Sequence, residues 1–322
     1  MKLIIIIPAY NEEQTIAQVI REISRQISGC DKVEILVLDD GSTDNTVNVA
    51  KSAGADYIIS NLKNKGLAFT FQRAIDEALK LGADIIINTD ADNHYNQSKI
   101  PDLIKPILEK KADVVIGDRC VEQLSEMKKI NKYGNSLGSW FVCKFLNLSK
   151  LDVSSGFRAY TRDAALKLNV FSGHTYTHET LIQAKDKNLA IASVEIPARE
   201  VKRKSKLIKS IPRHIIKSLW VIFRIFTLYK PMRVFFALGG LIFLIGVIPI
   251  IRFLYFYFTT GGQGHIQSLI IGAILCLIGF NTIVMAFLAS AIGWNRKLIE
   301  EVLYRLKKRE FKNNKFQNPN DK

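Results

Sequence analysis

The chain has 322 residues, 48% of them hydrophobic and 23% charged, with 45 Lys and Arg against 30 Asp and Glu. That length suits one large domain or two small ones, and the composition excludes a disordered chain, a collagen-like repeat and a disulfide-rich scaffold. The positive excess is uneven: residues 1–198 carry 24 basic and 25 acidic groups, residues 199–233 carry 11 and one, residues 234–295 carry one Arg and no acid, and residues 296–322 carry nine and four. A nucleic-acid-binding domain holds its charge in the folded body. Here the body is neutral and the charge flanks an apolar stretch, so no nucleic-acid partner is expected.

From the N-terminus, MKLIIII offers a five-residue apolar run before Pro8, too short for a secretory leader. Cys30, Cys120, Cys143 and Cys276 are scattered with no CxxC pair, the pattern of reduced thiols facing the cytosol. Apolar runs at 3–7, 33–38, 57–59, 85–87 and 114–116 predict short strands. Between them lie helical patterns, one with Ile16, Val19, Ile20, Ile23 and Ile27 on a single face, another with Leu67, Phe71, Ala74, Ile75, Ala78 and Leu79. Alternation of this kind implies an α/β fold with a mostly parallel sheet covered on both faces. Ligands of such sheets bind beyond the carboxyl ends of the strands. The polar motifs follow the strands: PAYNEE, DDGSTDNT, NTDADNH and GDRC. No GxGxxG follows the first strand and no P-loop occurs, which argues against a dinucleotide fold and a P-loop NTPase.

Asp90 and Asp92 flank Ala91, and alternate residues of an extended segment point the same way. Two adjacent carboxylates repel unless a cation joins them, and Mg²⁺ or Mn²⁺ binds one or two carboxylates while leaving sites for phosphate oxygens. His94 would add an imidazole, which favours Mn²⁺. The bland reading is an Asp-rich turn. His174 and His178 beside Glu179 suggest a second metal site, but without a reinforcing cluster a polar loop is the better expectation.

Farther on, Ile208, Ile211, Ile215, Leu219, Ile222 and Phe226 recur at helical spacing beside a basic stripe of Lys206, Lys209, Arg213, Lys217 and Arg224. A basic amphipathic helix next to a span is expected in the headgroup plane on anionic lipid; the alternative is a surface helix of the body. Residues 234–258 and 266–294 are each long and apolar enough to cross a bilayer. The linker TTGGQGH has no Lys or Arg while both outer flanks are basic, so a hairpin with both chain ends and the body in the cytosol is expected. Arg252 near the outer end of the first span can snorkel. Gly272 and Gly279 would permit close helix packing and leave a homo-oligomer open.

PAYNEE at 8–13, DDGSTDNT at 39–46, NKGLAFTFQRA at 64–74 and DAD at 90–92 resemble, in order and spacing, glycosyltransferase family 2. SGFRAYTRDA at 155–164 and REVKRKSKL at 199–207 are similar to its polyprenyl-phosphate branch, which includes dolichyl-phosphate mannose synthases. The resemblance covers roughly residues 1–210. It implies a GT-A fold (Rossmann-like, mostly parallel sheet); the expected chain continues with amphipathic interface helices and a two-helix transmembrane hairpin, and that hairpin also fits the branch. The expected organisation is a cytosolic GT-A domain at 1–205, a juxtamembrane region at 206–233, the two spans within 234–294 and a basic tail at 295–322.

The resemblance also implies roles. Pro8, Tyr10 and Glu12 would line the nucleotide pocket, with Asp40 on the base and Lys65 on the donor. Asp90 would hold the donor near its ribose or sugar. Asp92 would coordinate a Mn²⁺ or Mg²⁺ bridging the diphosphate, with His94, where many relatives carry Gln, as a further ligand. Arg119 would reach the acceptor phosphate. In place of the usual second acceptor-side Arg stand Lys128, Lys129 and Lys132, which supply charge without a bidentate fork. Arg199, Arg203 and Lys206 would clamp the diphosphate. Lys204 stands where a Gly is usual, and Lys202–Lys204 also read as a positive-inside flank. Arg158 would either brace its loop or touch substrate.

The expected activity is inverting, metal-dependent transfer from a GDP- or UDP-sugar to a polyprenyl phosphate. A non-catalytic nucleotide-sugar-binding scaffold in glycan assembly is the alternative. A processive polysaccharide synthase fits less well, because QxxRW is absent: none of Trp140, Trp220 or Trp294 follows an Arg.

Overall fold

The computed structural model describes residues 1–119, 151–170, 176–197, 199, 227, 231–261 and 264–313. Cys120, Lys128, Lys129, Lys132, Cys143, His174, Arg203, Lys206 and residues 206–226 of the expected basic helix lie outside the described residues. The chain divides into two compact units, Met1–Lys217 with Leu303–Lys322, and Ser218–Val302.

In the first unit the five expected strands form, as β1 (Lys2–Ala9), β2 (Lys32–Asp39), β3 (Tyr57–Ser60), β4 (Ile85–Asn88) and β5 (Val114–Asp118). Two more join them, β6 (Arg158–Thr161) and β7 (Ile191–Glu195), giving the order β3-β2-β1-β4-β6-β5-β7. All pairings are parallel except those of β6, which runs antiparallel to both β4 and β5. Neither added strand has a signature of its own. RAYT opens on an Arg, and the edge strand IASVE has no fully buried residue.

The apolar runs are strands because both faces are covered. Leu3, Ile5 and Ile7 of β1 join a core with α1 (Ile16–Glu22), α2 (Thr46–Ser52) and α4 (Ile100–Leu108). Ile4 and Ile6 join the opposite core with α3 (Leu67–Lys80), α5 (Arg162–Lys167) and α6 (Tyr176–Asp186). The α1 face is buried as its spacing predicts, through Ile16, Val19 and Ile20 and on to Ile23 and Ile27. On α3 the inner face is Ala68, Phe71, Ala74, Ile75, Ala78 and Leu79; Leu67, expected with them, opens the helix and is exposed.

Residues from Leu303 onward belong to this unit. Phe311 is buried in the α3–α5 core, Lys307 Nζ lies 2.8 Å from Asp76, and Arg162 Nη2 donates to the Phe311 carbonyl at 3.2 Å.

In the second unit, α7 (Pro231–Thr260) and the first part of α8 (Ile266–Asn313) contain both expected spans. Both helices are long and apolar enough to cross a membrane, and both expose large apolar side chains, such as Leu244 of α7 and Leu277 of α8. They meet at glycines. A Cβ on Gly279 would sit 2.6 Å from the Phe243 nitrogen, and one on Gly246 2.7 Å from the Cys276 nitrogen. Only residues without a side chain allow backbones this close.

Candidate active site

The carboxyl ends of β1, β2, β4 and β5 share one edge of the sheet, and antiparallel β6 begins there, so Ser155 and Gly156 arrive beside the loop after β4. The first two loops are laced together. The Asn11 N–H donates to Ser42 Oγ at 2.9 Å, the Thr43 N–H to Asn11 Oδ1 at 2.8 Å, the Glu12 N–H to Thr46 Oγ1 at 2.9 Å and the Asn45 N–H to Glu13 Oε2 at 3.0 Å. Pro8 is buried within β1, Tyr10 is exposed at its end, and the Thr15 hydroxyl donates to Glu12 Oε2 at 3.1 Å.

Asp40 is buried and faces the loop before α3. Its Oδ1 accepts from Asn61 Nδ2 at 2.8 Å and the Lys65 N–H at 2.9 Å, and its Oδ2 accepts from the Gly66 N–H at 2.9 Å. Asp40 therefore holds the loop that carries Lys65, whose ammonium lies 4.5 Å from the Phe69 ring centroid. Gly41 makes this approach possible: it has φ +74°, and a Cβ there would sit 2.8 Å from the Lys63 carbonyl carbon.

Asp90 and Asp92 follow β4, on a turn in which Asn93 adopts φ +61°. Burial, then the charge of Asp92, pushes the Asp90 carboxyl up to about 7, against the opposing pull of Arg119 and His94. Burial also raises Asp92, but the hydrogen bond and charge of His94 outweigh it and hold that carboxyl below the usual range. The pair is close: His94 Nδ1 lies 2.7 Å from Asp92 Oδ2. This bond raises the pKa of His94 in turn, against its partial burial.

Around Asp90 lies a polar cradle drawn from distant parts of the chain. Asn88 Nδ2 donates to the Gly156 carbonyl at 2.7 Å and to the Tyr176 hydroxyl at 2.9 Å, and the Gly156 N–H donates to the Tyr95 hydroxyl at 2.9 Å. A Cβ on Gly156 would meet the Tyr176 hydroxyl at 2.6 Å and both Asp90 oxygens at 3.0 Å. Tyr95 stacks on Phe157 and Tyr176 on Phe71, at centroid distances of 5.1 and 4.1 Å. The cue for Gly156 was available in SGFR; Asn88, Tyr95 and Tyr176 read as ordinary strand, loop and helix residues.

Arg119 reaches the same edge, and its fork is engaged: Nε donates to Asp152 Oδ2 at 2.6 Å and Nη2 to Asp152 Oδ1 at 3.2 Å and to Ser154 Oγ. Burial raises Asp152, and the charge and hydrogen bond of Arg119 reverse that shift and leave the carboxyl lowered. Arg158 is fully buried and bonds to backbone: Nε to Ser155 O at 2.8 Å, Nη1 to Thr177 O at 2.7 Å and Nη2 to Val153 O at 2.7 Å. Of its two expected roles the structure has the bracing one. Arg199 also reaches the turn after β4, with its guanidinium on Glu22, Asn93 and Asn96.

The donor set suits a hard divalent cation. Asp92 and His94 are partly exposed and 2.7 Å apart, and Asp90 is near enough to feel the charge of both. Among the described residues no group of three or more His, Cys, Asp or Glu side chains forms a cage, at this turn or around His178 and Glu179. A site with so few protein ligands leaves coordination positions for diphosphate oxygens, as Mg²⁺ and Mn²⁺ sites on phosphate substrates do.

A mostly parallel sheet with carboxylates after β4 and laced loops after β1 and β2 defines an enzyme of the GT-A class. Residues 4–168 match the family described as Glycosyl transferase family 2, and the chain belongs to that family of glycosyltransferases. Its relatives include a dolichyl-phosphate hexose transferase of Haloferax volcanii, 29% identical over 64% of this chain and 86% of the relative. Another is the UDP-N-acetylglucosamine–dolichyl-phosphate N-acetylglucosaminyltransferase of Methanococcus voltae, 30% identical over 60% and 83%. A third is an undecaprenyl-phosphate mannosyltransferase of Micrococcus luteus, 26% identical over 63% and 85%. In fold, the chain is similar to glucosyl-3-phosphoglycerate synthase of Mycobacterium tuberculosis in complex with UDP, with a TM-score of 0.55 at 23% identity over 68% of this chain and 79% of that one. The same synthase was also crystallised with Mn²⁺, UDP and glucosyl-3-phosphoglycerate, with a TM-score of 0.52 at 23% identity and the same coverage.

Proposed function

We propose that this glycosyltransferase moves a sugar from a nucleotide sugar to a polyprenyl phosphate at the cytosolic face of a membrane, with inversion. The observation that carries the reading is the joining of Asp90, Asp92 and His94 with the Arg119–Asp152 pair at one sheet edge, in a chain with two helices fit to span a bilayer. The three relatives named for dolichyl or undecaprenyl phosphate support the acceptor class.

Asp92, with His94, would hold a Mn²⁺ or Mg²⁺, as the donor set allows. The bound cation would supply positive charge to the departing diphosphate. The chain's residues would do the rest. Tyr10, Glu12 and the Lys65 loop, fixed by Asp40, would seat the nucleotide. Asp90, held in its cradle, would orient the donor sugar. Arg203 and Lys206 would add charge at the diphosphate, and Arg119 at the acceptor phosphate. That acceptor needs no general base, because a phosphate monoester, with a second pKa of about 6, is already a nucleophile at neutral pH. One of its oxygens forms the bond to the anomeric carbon as the bond from that carbon to the diphosphate oxygen breaks. The electron pair leaves with the diphosphate, so a single displacement inverts the centre.

The test is radiolabelled transfer by purified protein in lipid, from a panel of GDP- and UDP-sugars to polyprenyl phosphate, with Mn²⁺, Mg²⁺ or EDTA. Label entering the organic phase from one donor, and lost with EDTA, is the expected result. Label that stays aqueous with every donor, in protein that binds nucleotide, overturns the lipid acceptor.

A further inference from the structure

Arg199 was expected on the diphosphate, yet it donates five hydrogen bonds elsewhere. Its Nη1 bonds to Glu22 Oε1 at 2.9 Å, Glu22 Oε2 at 2.7 Å and Asn93 Oδ1 at 3.0 Å, and its Nη2 to Asn96 Oδ1 at 3.0 Å. Its backbone N–H donates to the carbonyl of His94 at 2.9 Å. Three of these five contacts fall on the turn that follows Asp92, at Asn93, His94 and Asn96. The other two anchor the guanidinium to Glu22, the last residue of α1.

The turn needs such support. Asn93 sits at φ +61°, a left-handed conformation that L-residues disfavour, Asn less than most because its side chain can bond locally. Asn93 Oδ1 accepts from Arg199. Asn96 Oδ1 also accepts from the Ser98 N–H at 3.1 Å, starting the short helical turn at Gln97–Lys99. One planar fork thus holds the turn at Asn93, between Asp92 and His94, and again at Asn96.

We infer that Arg199, anchored by Glu22, is a positioning residue that holds the Asp92–His94 turn in the geometry for a divalent cation. It acts through the turn and does not touch the diphosphate. The inference rests on the metal reading proposed above. Lysine cannot replace it, because a single ammonium on a flexible stem cannot bridge Glu22, Asn93 and Asn96 in one plane.

The test uses full-length protein in detergent or lipid, with Mn²⁺ titrated alone and with UDP or GDP and free Mn²⁺ read by electron paramagnetic resonance. Arg199→Ala and Arg199→Lys should weaken Mn²⁺ binding about tenfold, an effect of the size expected for lost outer-shell support. The KM for Mn²⁺ should rise in parallel, while kcat at saturating Mn²⁺ stays within about threefold. Glu22→Gln keeps the guanidinium and loosens its anchor, so it should show a smaller change in the same direction, and it serves if the Arg199 variants fail to fold. Unchanged Mn²⁺ affinity in folded Arg199 or Glu22 variants overturns the inference, as does a fall in kcat at saturating metal with Mn²⁺ affinity intact, the mark of a direct diphosphate contact. Wild-type protein that binds no Mn²⁺, alone or with nucleotide, overturns the metal reading and this inference with it.

Discussion

The Tyr304 hydroxyl donates to Asp163 Oδ1 at 2.7 Å, joining residues 141 positions apart and making the last turns of α8 part of the catalytic domain. Phe311 completes the attachment in the α3–α5 core. Phe311→Ala should cost about 3–5 kcal/mol as a buried aromatic truncation, and Tyr304→Phe about 1 kcal/mol as one hydrogen bond. Thermal unfolding of the purified protein checks both. Equal, negligible shifts would mean that the tail is not part of the cooperative domain.

Gly156 leaves room for the Asp90 carboxylate. In Gly156→Ala the new methyl would press on the Tyr176 hydroxyl and both Asp90 oxygens. Displacement on this scale should lower kcat about 10- to 100-fold with the fold retained. Steady-state kinetics and a melting curve together decide it, and full turnover in the variant would remove Asp90 from the chemistry.

Asp92→Asn should reduce sugar transfer by about a thousandfold or more, since it removes the charge that would hold the cation. EDTA should inhibit the wild type to a similar extent, and added Mn²⁺ should restore it. A metal-independent wild type would contradict this.

Arg158→Met should destabilise the domain by about 3–5 kcal/mol, because it strips the partners from three buried carbonyls. A soluble-yield and melting comparison with Arg158→Lys measures this. A variant that folds normally but loses transfer would give Arg158 a substrate contact.

His178 supplies a pH dependence. Burial first, then the charge of Arg158, lowers its pKa from the usual 6.5 to about 4. Between those values the unfolded chain takes up a proton that the folded protein refuses. Stability is therefore full above pH 6.5 and lost as the pH falls towards 4, by up to about 3 kcal/mol. Melting temperatures from pH 7.5 to 5 should fall in the wild type, and more gently in His178→Gln.

Much of this protein was written in local spacing. Five apolar runs marked five strands, the polar motifs after them marked one edge of a parallel sheet, and DAD with His94 marked the turn that could hold a cation. The two long apolar helices were equally plain, because unbroken hydrophobicity over the length needed to cross a bilayer is visible in the sequence itself. These features depend on periods of two to four residues, or on unbroken hydrophobicity, and a chain carries such information in its own order.

What tertiary structure decided is long-range. Antiparallel β6 sits between β4 and β5, and only that insertion brings Gly156 against Asp90 and sets Asp152 beside Arg119. Arg158 faces carbonyls, Asp40 faces the Lys65 loop, and Arg199 finds Glu22 across 177 positions of sequence. A cationic side chain announces its charge in the sequence but not its partner. The partner is chosen by strand order and burial, where an unpaired charge or carbonyl costs several kcal/mol and so must be met by whatever the fold brings near.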